Sequence, residues 1–211
     1  SGIRTENTTL FDGQAFELLS GDYICTEYGV RLSDKYGYDV EVCPHPIMPI
    51  KRIINIDTNE EQLTIAYKKG AQWREITIDK AVVASSNQII NLAKFGIVVN
   101  SENAKLLSTY LMQVEQLNYN QIPEERSVTH LGWIADGRFV PYDEDVKFDG
   151  EINCKHLFDT VKANGNFDKW LDLALDIRQY GMIGRINLAA SFASVLVSRC
   201  GLLPFIVHTW G

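Results

Sequence analysis

The sequence has no excess of positive charge, no long apolar run and no recognisable leader. Its 211 residues carry 20 lysines and arginines against 27 acids, which gives a net charge of −7. Dedicated nucleic-acid-binding domains are usually basic, so this balance argues against one, although it leaves room for a basic strip on one face. No apolar run approaches the ~18 residues that span a bilayer, and residues 1–20 show neither the basic start nor the apolar stretch typical of a signal peptide. We therefore expect a cytoplasmic protein without membrane contact.

Short catalytic signatures such as G-x-S-x-G and H-E-x-x-H are also missing. The four cysteines are far apart, unlike the dense disulfide frameworks of small secreted folds. Two of them begin C-x-H pairs, Cys43 with His45 and Cys154 with His156. In an extended chain, residues two apart share a face, so the pairs could together form a Cys₂His₂ zinc site. Zinc ligands more often come at C-x₂₋₄-C spacing, so we predict no catalytic residue and no metal, with zinc as the weaker alternative.

Alternating hydrophobicity predicts an antiparallel β meander in the first half of the chain. Strands over 50–57, 62–69 and 72–79 are separated by short polar turns. A further strand is predicted over 21–32. The prolines within 44–49 predict an edge or a loop, because proline donates no hydrogen bond to a strand ladder.

Helical patterns follow the meander. Ser85 or Ser86 is predicted to cap a helix that ends before Gly96. Ser101 is predicted to cap a longer helix, in which apolar residues recur at spacings of three and four. Asp136-Gly137, between two apolar runs, then predicts a β-hairpin.

The last third of the chain is predicted to be helical and then extended. Asn166 is a suitable cap for a helix that contains Trp170. The next helix, over 184–201, has small or apolar residues on every side, which predicts burial between layers. The apolar run over 205–211 predicts a strand. We expect segment 186–210 to be covered by the domain's own sheet or paired with a second copy, because an exposed apolar edge invites association.

These elements predict an α+β fold in which a meander with helices is followed by a smaller hairpin and helix unit. The predicted division is a flexible lead-in over 1–20, an N-terminal α+β domain over 21–122, a hairpin unit over 123–165, and helices with a strand over 166–211. The last helix and strand resemble the start of a P-loop module, whose glycine-rich loop would follow the strand.

Basic and aromatic residues interleave in the meander, which is typical of platforms for single-stranded nucleic acid. The candidates for DNA contact are Lys51, Arg52, Lys68, Lys69, Trp73 and Arg74. Five acids, Asp57, Glu60, Glu61, Glu75 and Asp79, lie among them. A charged, solvated sheet face is therefore the favoured interpretation of this region, and DNA contact is the alternative.

Several stretches together resemble one known family. They are "EVCPHPIMPIKRI" (41–53) with the meander, "LGW" followed by "GRFVP" (131–141), the helix with Trp170, and "SFASVLVSRCGLLPFIVHTWG" (191–211). The sequence resembles the domain-of-unknown-function family nine-two-seven (DUF927) from about residue 20 onward. In that family the region precedes the Walker A loop of helicase- or primase-like ATPases of phages and mobile genetic elements.

The resemblance implies a bacterial or phage-encoded parent that is an ATP-dependent, helicase-like ATPase acting in DNA replication. His208, Thr209 and Gly211 would then lie near the nucleotide, with Gly211 as the first P-loop glycine. The Walker A lysine is not among these residues, so we expect no hydrolysis by the chain itself and place ATP and Mg²⁺ in the parent. The expected function is an accessory region that positions single-stranded or forked DNA, or organises subunits of a homo-oligomer, beside the missing ATPase domain. The alternative is a protein–protein adaptor without DNA contact.

Overall fold

A computed structural model of the chain describes residues 7–33, 39–135, 137–150 and 152–208. The chain divides into two compact units, Ser1–Arg126 and Ser127–Gly211, here called unit 1 and unit 2. Both contain strands and helices, and antiparallel pairing predominates. The predicted α+β class is therefore confirmed, whereas the finer division of the chain stays a prediction. No helix among the described residues is long and apolar enough to cross a membrane.

Five short strands near the N-terminus form the first sheet of unit 1. They are β1 (Asn7–Leu10), β2 (Leu19–Gly21), β3 (Tyr23–Thr26), β4 (Gly29–Ser33) and β5 (Asp39–Cys43). Their order is β2-β1-β3-β4-β5, and β1 pairs with β3 in parallel. The region predicted as a flexible lead-in thus contributes a strand from residue 7, and it buries Phe11 and Leu18 in the core. Residues 1–6 of that region lie outside the described residues.

The single strand predicted over 21–32 is instead a hairpin. The chain reverses between β3 and β4, which pair antiparallel. Gly29 opens β4 with a φ of +116°, and a Cβ at this position would collide with the carbonyl oxygen of Cys43. Only glycine satisfies both conditions, so the turn depends on a residue that the strand pattern does not reveal.

The predicted meander forms the second sheet of unit 1. Its strands are β6 (Ile47–Asn55), β7 (Glu61–Lys69), β8 (Gln72–Asp79) and β9 (Glu124–Val128). They follow the order β9-β6-β7-β8, so β8 is an edge strand. Pro49 lies within β6, where an edge or loop was predicted, and the register shifts between Pro49 and Lys51. A local irregularity of this kind lets a strand include a residue that has no N–H.

Three helices of unit 1 follow the meander. They are α1 (Lys80–Ala84), a 3-10 helix (Ile89–Phe95) and α2 (Ala104–Leu117). The short helix α1 was not predicted. Gln88, rather than Ser85 or Ser86, precedes the 3-10 helix, and Gly96 ends it with a φ of +88° as expected.

Two asparagines, and not the predicted serine, shape the start of α2. The residue before the helix is Asn103 rather than Ser101, and its side chain makes no cap hydrogen bond. The preceding turn is held by Asn100, whose Oδ1 accepts from the backbone N–H groups of Glu102 and Asn103. Asparagine forms such local turns readily, because its side-chain oxygen reaches the backbone two residues ahead.

The core of unit 1 lies between α2 and the sheets. The predicted stripe on α2 is confirmed, since Leu107, Tyr110, Leu111 and Val114 are fully buried. The Tyr110 hydroxyl donates to the carbonyl oxygen of Ile47 at 2.7 Å, which satisfies a polar group inside the core.

An ion cluster at the edge of this core joins three elements. Lys80 Nζ of α1 lies 2.6 Å from Glu61 Oε2 of β7 and 2.8 Å from Glu115 Oε1 of α2. Burial alone would lower the pKa of Lys80, but the hydrogen bonds that it donates to Glu115 and Glu61 outweigh burial and raise that pKa. The cluster therefore fixes the start of α1 against the sheet.

Unit 2 contains a small hairpin and three helices. Its elements are β10 (Gly132–Trp133), β11 (Phe139–Val140), β12 (Val146–Phe148), α3 (Ile152–Thr160), α4 (Phe167–Gln179) and α5 (Met182–Leu196). The predicted hairpin is confirmed, as β10 and β11 pair antiparallel around Gly137, although Asp136 lies outside the described residues. Asn166 caps α4, and its Oδ1 accepts from Lys169 N at 3.0 Å. Helix α3 was not predicted.

The predicted cover of segment 186–210 by the domain's own sheet is absent from the part that the structure describes, whereas pairing with a second copy stays a prediction. Helix α5 has no buried residue and ends at Leu196, and residues 202–208 form no strand. Ile206, at the centre of the predicted strand, is 93% exposed. A strand needs a neighbour that pairs with its backbone, and none of the described strands lies alongside this stretch.

Candidate nucleic-acid interface

The β7–β8 hairpin places its basic side chains on two different faces. Successive side chains of a strand point to opposite faces, and directly paired residues share a face. The register pairs Tyr67 with Arg74 and Lys68 with Trp73. The Tyr67 hydroxyl donates to the carbonyl oxygen of Phe95 at 2.7 Å, so its face is the one toward the 3-10 helix. Arg74 therefore lies on this helix side, and Lys68 and Trp73 lie on the opposite side.

Three of the six predicted DNA contacts are already paired with carboxylates. The pairs are Lys51 Nζ with Glu125 Oε1 at 3.1 Å, Arg52 Nη2 with Glu124 Oε2 at 3.0 Å, and Lys68 Nζ with Asp12 Oδ2 at 3.1 Å. Arg52 is only 4% exposed, and its guanidinium carbon lies 3.7 Å from the centroid of the Tyr119 ring. A cation with a carboxylate in contact exerts little net attraction on a phosphate. These three residues therefore hold unit 1 together.

Trp73 binds the turn after β1 to strand β8. Its Nε1 donates to the carbonyl oxygen of Asp12 at 3.1 Å. Its ring meets Phe11 edge to face, with the centroids 6.1 Å apart. Both contacts fix the turn after β1, so the aromatic surface of Trp73 is engaged within the protein rather than presented as a platform.

The two remaining candidates are Lys69 and Arg74. We group them with Lys94 and Phe95, which the sequence did not indicate. Lys69 Nζ donates to the carbonyl oxygen of Gly96 at 3.0 Å, where the 3-10 helix ends. Lys94 Nζ lies 4.9 Å from the centroid of the Phe95 ring, which is 37% exposed. Among the described residues, none of these three cations forms a salt bridge. Lys69, Arg74, Lys94 and Phe95 are called the basic patch below.

The basic patch combines the two components of a single-strand contact. Unpaired cations raise the local potential for an anion, and an exposed ring offers a face on which a base can stack. Lys94 and Phe95 were missed because a Lys-Phe pair at the end of a helix is common. The available signal was Gly96, which marks the end of the helix and therefore places both residues in its last turn.

Comparison with known proteins identifies the family. The sequence model of the family described as "Domain of unknown function (DUF927)" matches residues 27–211. This chain belongs to the DUF927 family. No curated protein matches it. A solved structure described as "SCCmec type IV Cch - active helicase" aligns with a TM-score of 0.44 and 16% identity, over 77% of this chain and 30% of that chain. The chain thus spans less than a third of that protein.

The first C-x-H pair of this DUF927 chain is an internal contact. His45 Nε2 accepts from Val98 N–H at 3.1 Å and lies 3.5 Å from Cys43 Sγ, and Nδ1 donates to the Pro46 carbonyl oxygen at 3.1 Å. An amide N–H can only donate, so the imidazole is neutral and both nitrogens are engaged. Burial raises the pKa of Cys43 to about 12 and lowers the pKa of His45. A thiol that stays protonated is a poor nucleophile and a poor metal ligand.

The second C-x-H pair lies on a helix. Cys154 and His156 belong to α3, where residues two apart point about 200° apart around the axis. The shared face that an extended chain would give them is therefore missing. No group of three or more His, Cys, Asp or Glu side chains among the described residues is placed to hold a metal ion.

The predicted nucleotide-proximal residues fall at the end of the family match. His208 is exposed in an irregular stretch. Thr209 and Gly211 lie outside the described residues, so the nucleotide role of these three residues stays a prediction.

Proposed function

We propose that this DUF927 chain is the accessory, non-catalytic region of a helicase- or primase-type ATPase, and that it contacts single-stranded DNA through the basic patch. The observation that carries the proposal is that three cations without a salt bridge among the described residues lie on the helix side of the hairpin and on the 3-10 helix. Lys69 donates to the carbonyl oxygen of Gly96, Lys94 lies over the exposed ring of Phe95, and Arg74 shares the face of Tyr67. The family resemblance supports the context, because DUF927 regions precede the P-loop in ATPases of phages and mobile elements. ATP and Mg²⁺ belong to that ATPase module in this proposal.

The basic patch would act by positioning a strand. The three cations attract phosphates without reading sequence, and Phe95 stacks on a base. The net charge of −7 opposes binding elsewhere on the surface, so contact is restricted to this region. We expect affinity that is modest and strongly dependent on salt, because phosphate contacts release counterions.

Binding of a fluorescent (dT)₁₅ at about 50 and 200 mM salt tests the proposal. Neutralising two cations in Arg74→Gln/Lys94→Gln should weaken binding at low salt and reduce the slope of log K against log salt by about 1.4, at about 0.7 for each phosphate contact. The matched control is Arg31→Gln/Lys105→Gln, which removes the same charge at exposed cations without a salt bridge among the described residues. Equal loss in both variants, or no binding at low salt, would contradict the proposal.

A protein–protein adaptor without DNA contact is the second candidate. It is favoured by the apolar side chains of α4 and α5, of which Phe167, Leu173 and Ile183 are each more than half exposed. Large exposed apolar patches usually mark interaction surfaces. Failure of (dT)₁₅ to bind at low salt would favour this candidate.

A further inference from the structure

The loop between α3 and α4 contains the one asparagine–glycine pair of the sequence, Asn164–Gly165. All residues from 161 to 166 are exposed. Gly165 has a φ of +97°, and a Cβ at this position would meet no atom within 4 Å. Among the residues that the structure describes, no hydrogen bond holds Asn164 or Gly165. The pair is therefore free to change its backbone conformation, as exposed loop tips with small residues generally are.

Other asparagines of the chain use their side chains to hold the backbone. Asn166, two residues further on, caps α4 and accepts from Lys169 N at 3.0 Å. Asn100 Oδ1 accepts from two backbone N–H groups of the turn before α2, at 2.8 and 3.3 Å. Both are also followed by a residue with a side chain, whose Cβ crowds its own backbone nitrogen. Asn164 differs from both in its free amide and in its glycine neighbour.

We propose that Asn164 is a site of spontaneous deamidation. The main-chain nitrogen of Gly165 attacks Cγ of the Asn164 side chain and forms a new C–N bond. That nitrogen gives up its proton, the side-chain amide leaves as ammonia, and a five-membered succinimide ring remains. Water then opens the ring at either carbonyl, which yields aspartate or isoaspartate. Glycine favours the attack because it has no Cβ to oppose the approach and adopts most backbone conformations.

The modification changes the charge and the backbone just before α4. Each event adds one negative charge, which takes the net charge from −7 to −8. A negative charge is favourable near the N-terminus of a helix, so α4 should tolerate the aspartate product. In the isoaspartate product the main chain passes through the former side chain and is one carbon longer, two residues before the cap Asn166. Because α4 carries exposed apolar side chains such as Leu173, the modification alters the edge of an interaction surface.

Incubation of the full chain at pH 7.5 and 37 °C, followed by tryptic digestion and mass spectrometry, tests the inference. Trypsin releases peptide 163–169, which contains both Asn164 and Asn166, and peptide 95–105, which contains Asn100. We expect Asn164 to be converted at least about tenfold faster than the other two, because their hydrogen bonds must break before their amides can react. Isoaspartate methyltransferase should transfer methyl groups to the incubated chain and not to the fresh one.

The control is Asn164→Gln, which keeps an amide but lengthens the side chain by one carbon, so that a six-membered ring would have to form. The acidic form that ion-exchange chromatography separates after incubation should disappear in this variant, and its persistence would overturn the inference. Equal conversion of Asn164 and Asn166 in the folded chain would also overturn it. So would an Asn164 that stays intact in the folded chain and reacts in urea, because the loop would then be held in a conformation that blocks the attack. The reaction needs neither DNA nor ATP, so each outcome is independent of the proposed function.

Discussion

The two units of the chain differ most in what their helices bury. Helix α2 of unit 1 has 14 residues and buries seven of them, in a core shared with both sheets. In unit 2, the 13-residue α4 buries one residue and the 15-residue α5 buries none. Yet α5 is the more apolar helix, with Arg185 as its single charged residue. The more apolar helix, α5, is thus the less buried one.

The arrangement of the apolar residues explains the difference. On α2 they form one stripe, which is buried against the core of unit 1. On α5 they surround the axis, so no single neighbour can cover them. Large apolar side chains are exposed on α4, α5 and the stretch after them, and Phe167, Met182 and Ile206 are each more than two thirds exposed. Unit 1 therefore buries the apolar face of its long helix within its own core, whereas unit 2 presents an apolar surface that a partner can cover.

The reactivity of the cysteines should show the largest difference between the two units. Burial raises the pKa of Cys43 to about 12 and of Cys25 to about 11, whereas Cys200 in unit 2 is exposed. At pH 8 the thiolate fraction of Cys43 is on the order of 10⁻⁴, and thiolates are the reactive form. We expect Cys200 to react with a coloured disulfide reagent at least about a thousandfold faster than Cys43 or Cys25.

Mass spectrometry of the labelled protein assigns each thiol, and unfolding in urea serves as the control. All four cysteines should react at similar rates in urea, because the difference between the units comes from folding. Rapid labelling of Cys43 in the native protein would contradict the closed core of unit 1.

A pair of leucine substitutions tests the same contrast in stability. Leu111 on α2 is fully buried, and Leu173 on α4 is 59% exposed. Leu111→Ala removes buried methyl groups and leaves a cavity, so it should lower the free energy of unfolding by about 2–5 kcal/mol. Leu173→Ala should change it by less than about 0.5 kcal/mol.

Urea titration followed by tryptophan fluorescence and by circular dichroism measures both effects. Comparable losses for the two variants would show that α4 is packed in solution. Such a result would remove the contrast between the units.

The sequence predicted the strands and helices in which apolar residues recur at a regular spacing. Strand β8 has the predicted bounds and β7 begins one residue earlier, because alternation over eight or nine residues is unambiguous. Helix α1 was missed because five residues are too few to show a period.

The pairing of the charges could not be predicted. Lys51 and Lys68 meet carboxylates that lie far away along the chain. Lys94 comes near the β7–β8 hairpin only because the 3-10 helix packs beside it, where the Tyr67 hydroxyl donates to the carbonyl oxygen of Phe95. Which cations stay unpaired is a tertiary property, and the candidate site therefore emerged only from the fold.

The smallest expected effect concerns pH and unit 1. The folded pKa of His45 is below its usual value, chiefly because burial disfavours the charged form. The unfolded chain therefore binds a proton first as the pH falls. The stability that the neutral ring provides is fully present above about 6.5, the usual histidine value, and is lost as the pH falls below that value and through the folded pKa.

His45→Gln isolates this contribution. A glutamine can still accept from Val98 N–H, but it does not titrate, so the variant should lose less stability between pH 7.5 and 5.5 than the original chain. Urea unfolding at three pH values gives the difference, in which the other histidines and the carboxylates cancel. Identical pH dependence in both proteins would mean that His45 has the same pKa in the folded and unfolded states, so that burial and the hydrogen bond from Val98 N–H do not disfavour its charged form. A difference confined to this window would instead tie the contact between the residues before β6 and the segment after the 3-10 helix to the neutral form of one half-buried ring.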